Sequence, residues 1–300
     1  MSKAGVWLLA AVGVASVPEG GWAQVRASEQ ATVSQTVDGT VLTVEYSRPR
    51  TRGRSPIYGK EVKWGEVWTP GANWATTLDV SNDVTIDGHA VPKGKYSVWM
   101  EVEQGDWTVI LDPKAKQFHT AHPKPDSSQI RFPVTPDSGA GPEVLLWSFP
   151  ELSSTGTVLQ MAWAGRSARL TIAVPPSHPL TLDASLAPRY VGEYSVRWIP
   201  RDTVAMRDSA PPPLETWKVS YDGGKLMLDW EVPGDDEAPY HAILVGLGDD
   251  AFYPGFIEEG DMFDAAPNLV AEFAVTDDRA TGFVIRRKDD SIQAVGTRVP

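Results

Sequence analysis

Apolar and polar positions alternate in short runs along most of this chain, and turn residues interrupt the runs before they reach helical length. Residues 41–46 (Val-Leu-Thr-Val-Glu-Tyr) are the first run dense in β-branched side chains and predict a strand. Residues 24–34, ahead of it, are polar and read as a frayed lead-in. Further strands are predicted at 77–80, 84–86, 96–102 and 107–111, with turns at Asp87-Gly88 and Pro92-Lys93-Gly94. These residue types tolerate hairpin-turn dihedrals. Runs at 130–134, 144–149, 158–163 and 168–174 bring the set to eight or nine, the last two flanking Ala164-Gly165-Arg166-Ser167. No segment has convincing helical periodicity. The prediction is an all-β chain whose residues 24–174 form an antiparallel β-sandwich or jelly roll.

Residues 175–188 open with Pro175-Pro176-Ser177-His178-Pro179, which stiffens the backbone and removes donors, and read as a linker. Beyond them, alternating runs at 194–199, 217–221, 225–230, 242–246, 269–275, 281–288 and 292–298 predict a small antiparallel β-barrel or meander over 189–300. Residues 202–213, with three consecutive prolines, are read as a loop between its first two strands.

Residues 1–23 have the order of an export signal: Lys3, an apolar run over 6–17, then Pro18, Gly20 and Gly21. Cleavage is expected after Ala23, giving a periplasmic or extracellular protein with Gln24 first. No later run approaches the roughly 18 apolar residues that a membrane helix needs. The chain has no cysteine, so it has neither disulfides nor thiol chemistry and must be stabilised by burial. The net charge of −12 is concentrated from Asp183 onward, where 22 acidic residues face 11 basic ones. Nucleic acid needs a basic face, so it is not expected as a partner.

Candidate chemistry is densest over residues 46–77, too rich in arginine, glycine, proline and tryptophan for a plain strand. Arg48, Arg50, Arg52 and Arg54 alternate there, and an Arg fork suits a carboxylate or phosphate. The same arginines can instead brace a long loop by bonding backbone carbonyls. Asn73 can hold a left-handed turn or offer its amide to a ligand. Trp68 and Trp74 flank that turn and are candidate stacking faces, whereas Trp99 and Trp107 lie on alternating strands and are assigned to the core. The candidate ligand-binding set is Arg48, Arg54, Tyr58, Trp68, Asn73, Trp74 and Thr76. His119 and His122 are weak metal candidates, because their spacing makes a pair only on a helix and they lie in a proline-flanked loop. The acidic runs at 235–237, 249–250 and 258–261 miss the EF-hand order. No cofactor is expected.

The motif order Tyr46-Ser47-Arg48-Pro49, Gly53-Arg54, Tyr58-Gly59, Val67-Trp68, Gly71-Ala72-Asn73, Ala75-Thr76-Thr77 and Trp107-Thr108-Val109-Ile110-Leu111 resembles the bacterial family of domain of unknown function 2911, over about residues 35–174. The resemblance implies a β-rich exported domain without an assigned reaction. It also implies an arginine directly after the tryptophan of Val67-Trp68, where this chain has Thr69-Pro70. The C-terminal third, through Tyr190-Val191-Gly192-Glu193-Tyr194 and Gly282-Phe283-Val284-Ile285, is similar to the lipocalin-like domain of unknown function 3471, which is appended to some serine hydrolases. Those enzymes need Ser-x-x-Lys, which is absent here, as are Gly-x-Ser-x-Gly, His-Glu-x-x-His, P-loop and dinucleotide motifs. The expectation is an exported envelope protein that binds a small polar or saccharide-like ligand at the 46–77 loop. The alternatives are a hydrolase with an unrecognised site built on His119 or an acidic residue, and a purely structural or partner-docking protein.

Overall fold

The computed structural model describes residues 27–200, 214–230, 240–258 and 261–300. The expected export signal and the expected loop at 202–213 lie outside the described residues. The first strands are β1 (Glu29–Val37), β2 (Thr40–Arg48), β3 (Glu66–Trp68), β4 (Thr77–Val80), β5 (Val84–Ile86), β6 (His89–Val91) and β7 (Gly94–Val102). There follow β8 (Trp107–Asp112), β9 (Ile130–Val134), β10 (Asp137–Ser138), β11 (Leu146–Ser153), β12 (Gly156–Trp163) and β13 (Arg166–Ala173).

These strands form two open antiparallel sheets. One has seven strands in the order β1-β2-β4-β7-β8-β9, with β3 also paired to β7; the other has six, β11-β12-β13-β5-β6 with β10 on β13. Side chains from both sheets share one apolar core, including Leu42, Val44, Leu78, Met100 and Val109 from the first and Leu159, Met161, Leu170 and Ile172 from the second. Alternation sets the other face of the first sheet. Trp99 and Ile110 point away from the shared core and, with Ala75, make a small second cluster. Trp99 and Trp107 are both buried, as expected.

Two readings need correction. Residues 29–34 are not a frayed lead-in: they belong to β1, which pairs with β2 along its whole length from Glu29↔Arg48 to Val37↔Thr40. One β1 face is exposed, while the other carries Ala31, Val33 and buried Val37 against the core, with polar Gln35 interrupting that inward apolar set. A helix is also present, although it is only the single turn α1 (Ala187–Tyr190).

The C-terminal strands are β14 (Gly192–Trp198), β15 (Glu215–Asp222), β16 (Lys225–Trp230), β17 (Tyr240–Gly248) and β18 (Ala251–Glu258), then β19 (Asp261–Ala265), β20 (Leu269–Thr276), β21 (Arg279–Arg287) and β22 (Ile292–Arg298). The order β17-β16-β15-β14-β22-β21-β20-β18 closes on itself through β17–β18, giving an eight-stranded antiparallel barrel, and β19 hangs from β18 outside the ring. Closure removes the free edges that an open sheet would expose. Aromatic rings fill the interior: Phe273 lies 5.2 Å from Tyr190, 5.4 Å from Phe283 and 5.7 Å from Phe252.

One end of the barrel is sealed by α1 and Arg298. The Arg298 guanidinium donates to the carbonyls of Ala280 (3.0 Å), Val191 and Arg189, and to the Tyr194 hydroxyl (3.1 Å), while lying 5.5 Å over the Tyr194 ring. Just outside, Asp250 accepts from the Tyr190 hydroxyl and from Arg189, and these bonds hold its carboxyl below the usual range. Residues 175–179 touch both halves. Ser177 donates to the Asp38 carboxylate at the β1–β2 turn, and the His178 ring meets Tyr253 of β18 edge-on at 5.7 Å. No helix among the described residues is long and apolar enough to cross a membrane.

Candidate functional site

The 46–77 stretch is shaped by a splice in the first sheet. Both β3 and β4 pair with β7, β3 ending at Trp68↔Met100 and β4 beginning at Thr77↔Ser97. The chain leaves the sheet between them and returns. Thr69, which is buried, spans the gap: its hydroxyl donates to the Val98 carbonyl (2.9 Å) and accepts from the Thr76 N–H (3.0 Å). The Val98 N–H donates to the Thr76 carbonyl (2.7 Å). A hydroxyl thus completes a ladder that backbone alone leaves open. This gives Thr69 a structural role at the position where the resemblance implies an arginine.

The extruded loop folds over the outer face of the first sheet. Asn73 has φ 63°, the left-handed turn anticipated for it, and its carbonyl accepts from the His119 N–H at 2.8 Å and lies 3.0 Å from His119 Nδ1. Its side-chain amide donates to the Ser28 carbonyl (3.3 Å) and to Ser47 (3.4 Å). The Thr76 hydroxyl is buried and donates to the Pro70 carbonyl, which also accepts from the Trp147 indole (3.0 Å). Trp74 stands 52% exposed, edge-on to Phe118, with Lys116 Nζ 5.3 Å from its ring centre. A shallow hollow of about 140 Å³ beside it is lined by Gln30, Glu45, Tyr46 and Ser47. Because Trp74 contributes little burial, Trp74→Ala is expected to change unfolding free energy by less than about 1 kcal/mol while removing the most iodide-quenchable part of the fluorescence. A denaturant titration showing a loss of more than about 2 kcal/mol would contradict this.

In the other half of the stretch, Ile57 and Tyr58 are buried in the core between the sheets while residues 52–56 stay exposed. Tyr58 is buried, 5.2 Å from the Trp107 ring and edge-on to Trp68, which stacks on Trp163 at 5.9 Å. Burial raises the Tyr58 pKa, so the phenol keeps its proton. Arg48 donates to the Leu145 carbonyl (3.2 Å). Arg54 donates through Nε to the Thr51 carbonyl (2.9 Å), through Nη2 to the Arg50 carbonyl (2.7 Å) and through Nη1 to Glu61 (3.1 Å).

Arg54 and Tyr58 open onto a cavity of about 400 Å³ whose lining also includes Thr51, Ser55, Trp64 and Arg166. Trp64 approaches the backbone closely at Gly59, which has φ +85° and where a Cβ would fall 2.4 Å from the indole nitrogen. Arg166 follows the two-residue turn Ala164-Gly165, both at positive φ, at the start of β13. That turn fixes where its side chain begins.

The candidate set therefore divides. Arg54 and Tyr58 share the cavity, Trp68 packs behind Tyr58, and Asn73, Trp74 and Thr76 belong to the outer-face loop. Arg48 lines neither hollow. His119 and His122 are separately engaged, His119 with Asn73 and His122 with the Val67 carbonyl at 2.6 Å, and no metal-holding cluster forms among the described residues. Sequence reasoning missed Trp64, Ser55 and above all Arg166, which is about a hundred residues from the loop it joins. Its one signal was a cation directly after a tight turn.

No curated protein and no solved structure matches the chain. A family does match, and its span starts earlier than the motif order suggested, taking in β1. Residues 28–172 belong to the family described as Protein of unknown function (DUF2911).

Proposed function

We propose that this is an exported envelope protein whose N-terminal half, a β-sandwich of two facing sheets, binds a small polar or saccharide-like ligand. The C-terminal barrel, read as a lipocalin-like unit, serves as an accessory joined by residues 175–188. One observation carries the reading: Arg54 and Tyr58, nominated from sequence, line a cavity of about 400 Å³ together with an arginine from the opposite sheet. That volume falls within the range of small-molecule sites.

A second reading has its own support. Arg48, Arg54 and Asn73 all donate to backbone carbonyls, as braces would. On that reading the stretch only stiffens a loop. A thermal-shift screen against envelope saccharides, nucleotides, organic acids and divalent metals separates the two, run on wild type and on Arg54→Ala. A ligand at a hundred times its Kd adds about 2.7 kcal/mol, which is several degrees in Tm. The binding reading expects that rise in wild type and a smaller one in Arg54→Ala. If nothing raises the Tm of either protein, the structural reading replaces it.

A further inference from the structure

We infer that the cavity between Arg54 and Arg166 is an oxyanion site, taking the carboxylate or phosphate of a small molecule. The inference rests on the reading of that cavity as a ligand site and narrows its chemistry.

The polar side chains of the lining are Thr51, Arg54, Ser55, Tyr58, Trp64 and Arg166. Each can donate a hydrogen bond, the Tyr58 hydroxyl already giving its own to the Trp163 carbonyl (3.4 Å), and none is a carboxylate or carboxamide. A lining made of donors matches a ligand made of acceptors. The donors are also unequally committed. Three bonds to Thr51, Arg50 and Glu61 hold Arg54 in place, and Glu61 offsets part of its charge. Arg166 has a single hydrogen bond, from Nη1 to the Ser138 hydroxyl, and no carboxylate partner among the described residues. The Trp64 indole N–H and the Ser55 hydroxyl make no hydrogen bond among the described residues.

The site thus pairs a braced guanidinium with an unneutralised one. The braced group loses little freedom on binding, and the other leaves most of its planar fork for a bidentate contact. Arg166 is accordingly the anchoring residue and Arg54 the supporting charge. Ile57 and Ala164 give the cavity an apolar wall on one side.

The test is NMR of the Trp64 indole N–H in the full-length chain, titrated with inorganic phosphate, glucuronate and glucose at fixed ionic strength. Phosphate and glucuronate are expected to move the Trp64 resonance, and glucose is not. Arg166→Gln is expected to weaken both anions by roughly tenfold or more. Arg166→Lys should recover only part, because it restores the charge without the fork. Both variants are first checked for an unchanged melting temperature, since Arg166 borders a surface turn. If glucose alone moves the resonance, the ligand-site reading stands and the oxyanion claim fails. Anion affinity unchanged in Arg166→Gln also overturns the claim. If none of the three probes moves Trp64, the claim and the reading of this cavity as a ligand site fall together.

Discussion

Replacing Trp147 by alanine is expected to cost the N-terminal half about 3–5 kcal/mol of unfolding free energy. The side chain is almost completely buried on β11, within the core shared by the two sheets. The substitution also removes a tie between the sheets, because the Trp147 indole donates to the Pro70 carbonyl at 3.0 Å. Pro70 begins the loop extruded from the first sheet, so its carbonyl would keep only the bond from Thr76. The damage should therefore spread from a cavity in the core to faster hydrogen exchange at Ala75 and His119, whose N–H groups pin the loop. A urea titration followed by tryptophan fluorescence and exchange measures both effects. A loss below about 1.5 kcal/mol with loop protection unchanged would mean that the sheets are held together elsewhere.

Arg298→Ala is expected to destabilise the barrel by about 2–4 kcal/mol. The guanidinium serves three carbonyls and a phenol where the first barrel strand meets the last. Removing it strands acceptors that water reaches poorly and exposes the face of Tyr194. Lysine should not rescue the loss, because one ammonium cannot reproduce the fork. Gly192 is part of the same fit, since a Cβ there would fall 2.7 Å from Arg298 Nη2. Loss of exchange protection in β14 and β22, with the N-terminal sheets unaffected, is the expected signature. Full protection in Arg298→Ala would show that the ring closes without it.

Much of the fold was legible because alternation is a local signal. Residues 96–102 and 107–111 each carry their inward and outward sets in the sequence, and Asp87-Gly88 marks its hairpin. Several strands escaped, the short β3, β6, β10 and β19 among them, and two longer ones show why. β1 was masked because Gln35 interrupts its inward apolar set and polar residues fill its outer face. β18 was hidden by Pro254-Gly255, which reads as a turn. In the barrel Pro254 falls where β18 passes from β20, paired at Phe252, to β19, paired from Gly255, a place where a missing donor costs little. The candidate site was legible on one side only. The 46–77 stretch announced its arginines and aromatics, but which of them meet is decided by the splice at Thr69 and by a turn on the other sheet. Neither leaves a periodic trace. Arg54 and Asn73, neighbours in the sequence pattern, end in different surroundings for that reason.

The splice has a consequence for protein engineering. The chain departs at Thr69 and re-enters at Thr76, and both residues are tied to the single residue Val98 of β7. The strand register on either side is therefore independent of how many residues lie between. Lengthening the loop at Trp74, its exposed residue, adds closure entropy of only about 0.6 kcal/mol per doubling and leaves the Thr69–Val98–Thr76 junction itself untouched. A protein engineer can graft foreign sequence at the Trp74 tip while keeping the buried Gly71 and Ala75 that seat the loop on the sheet.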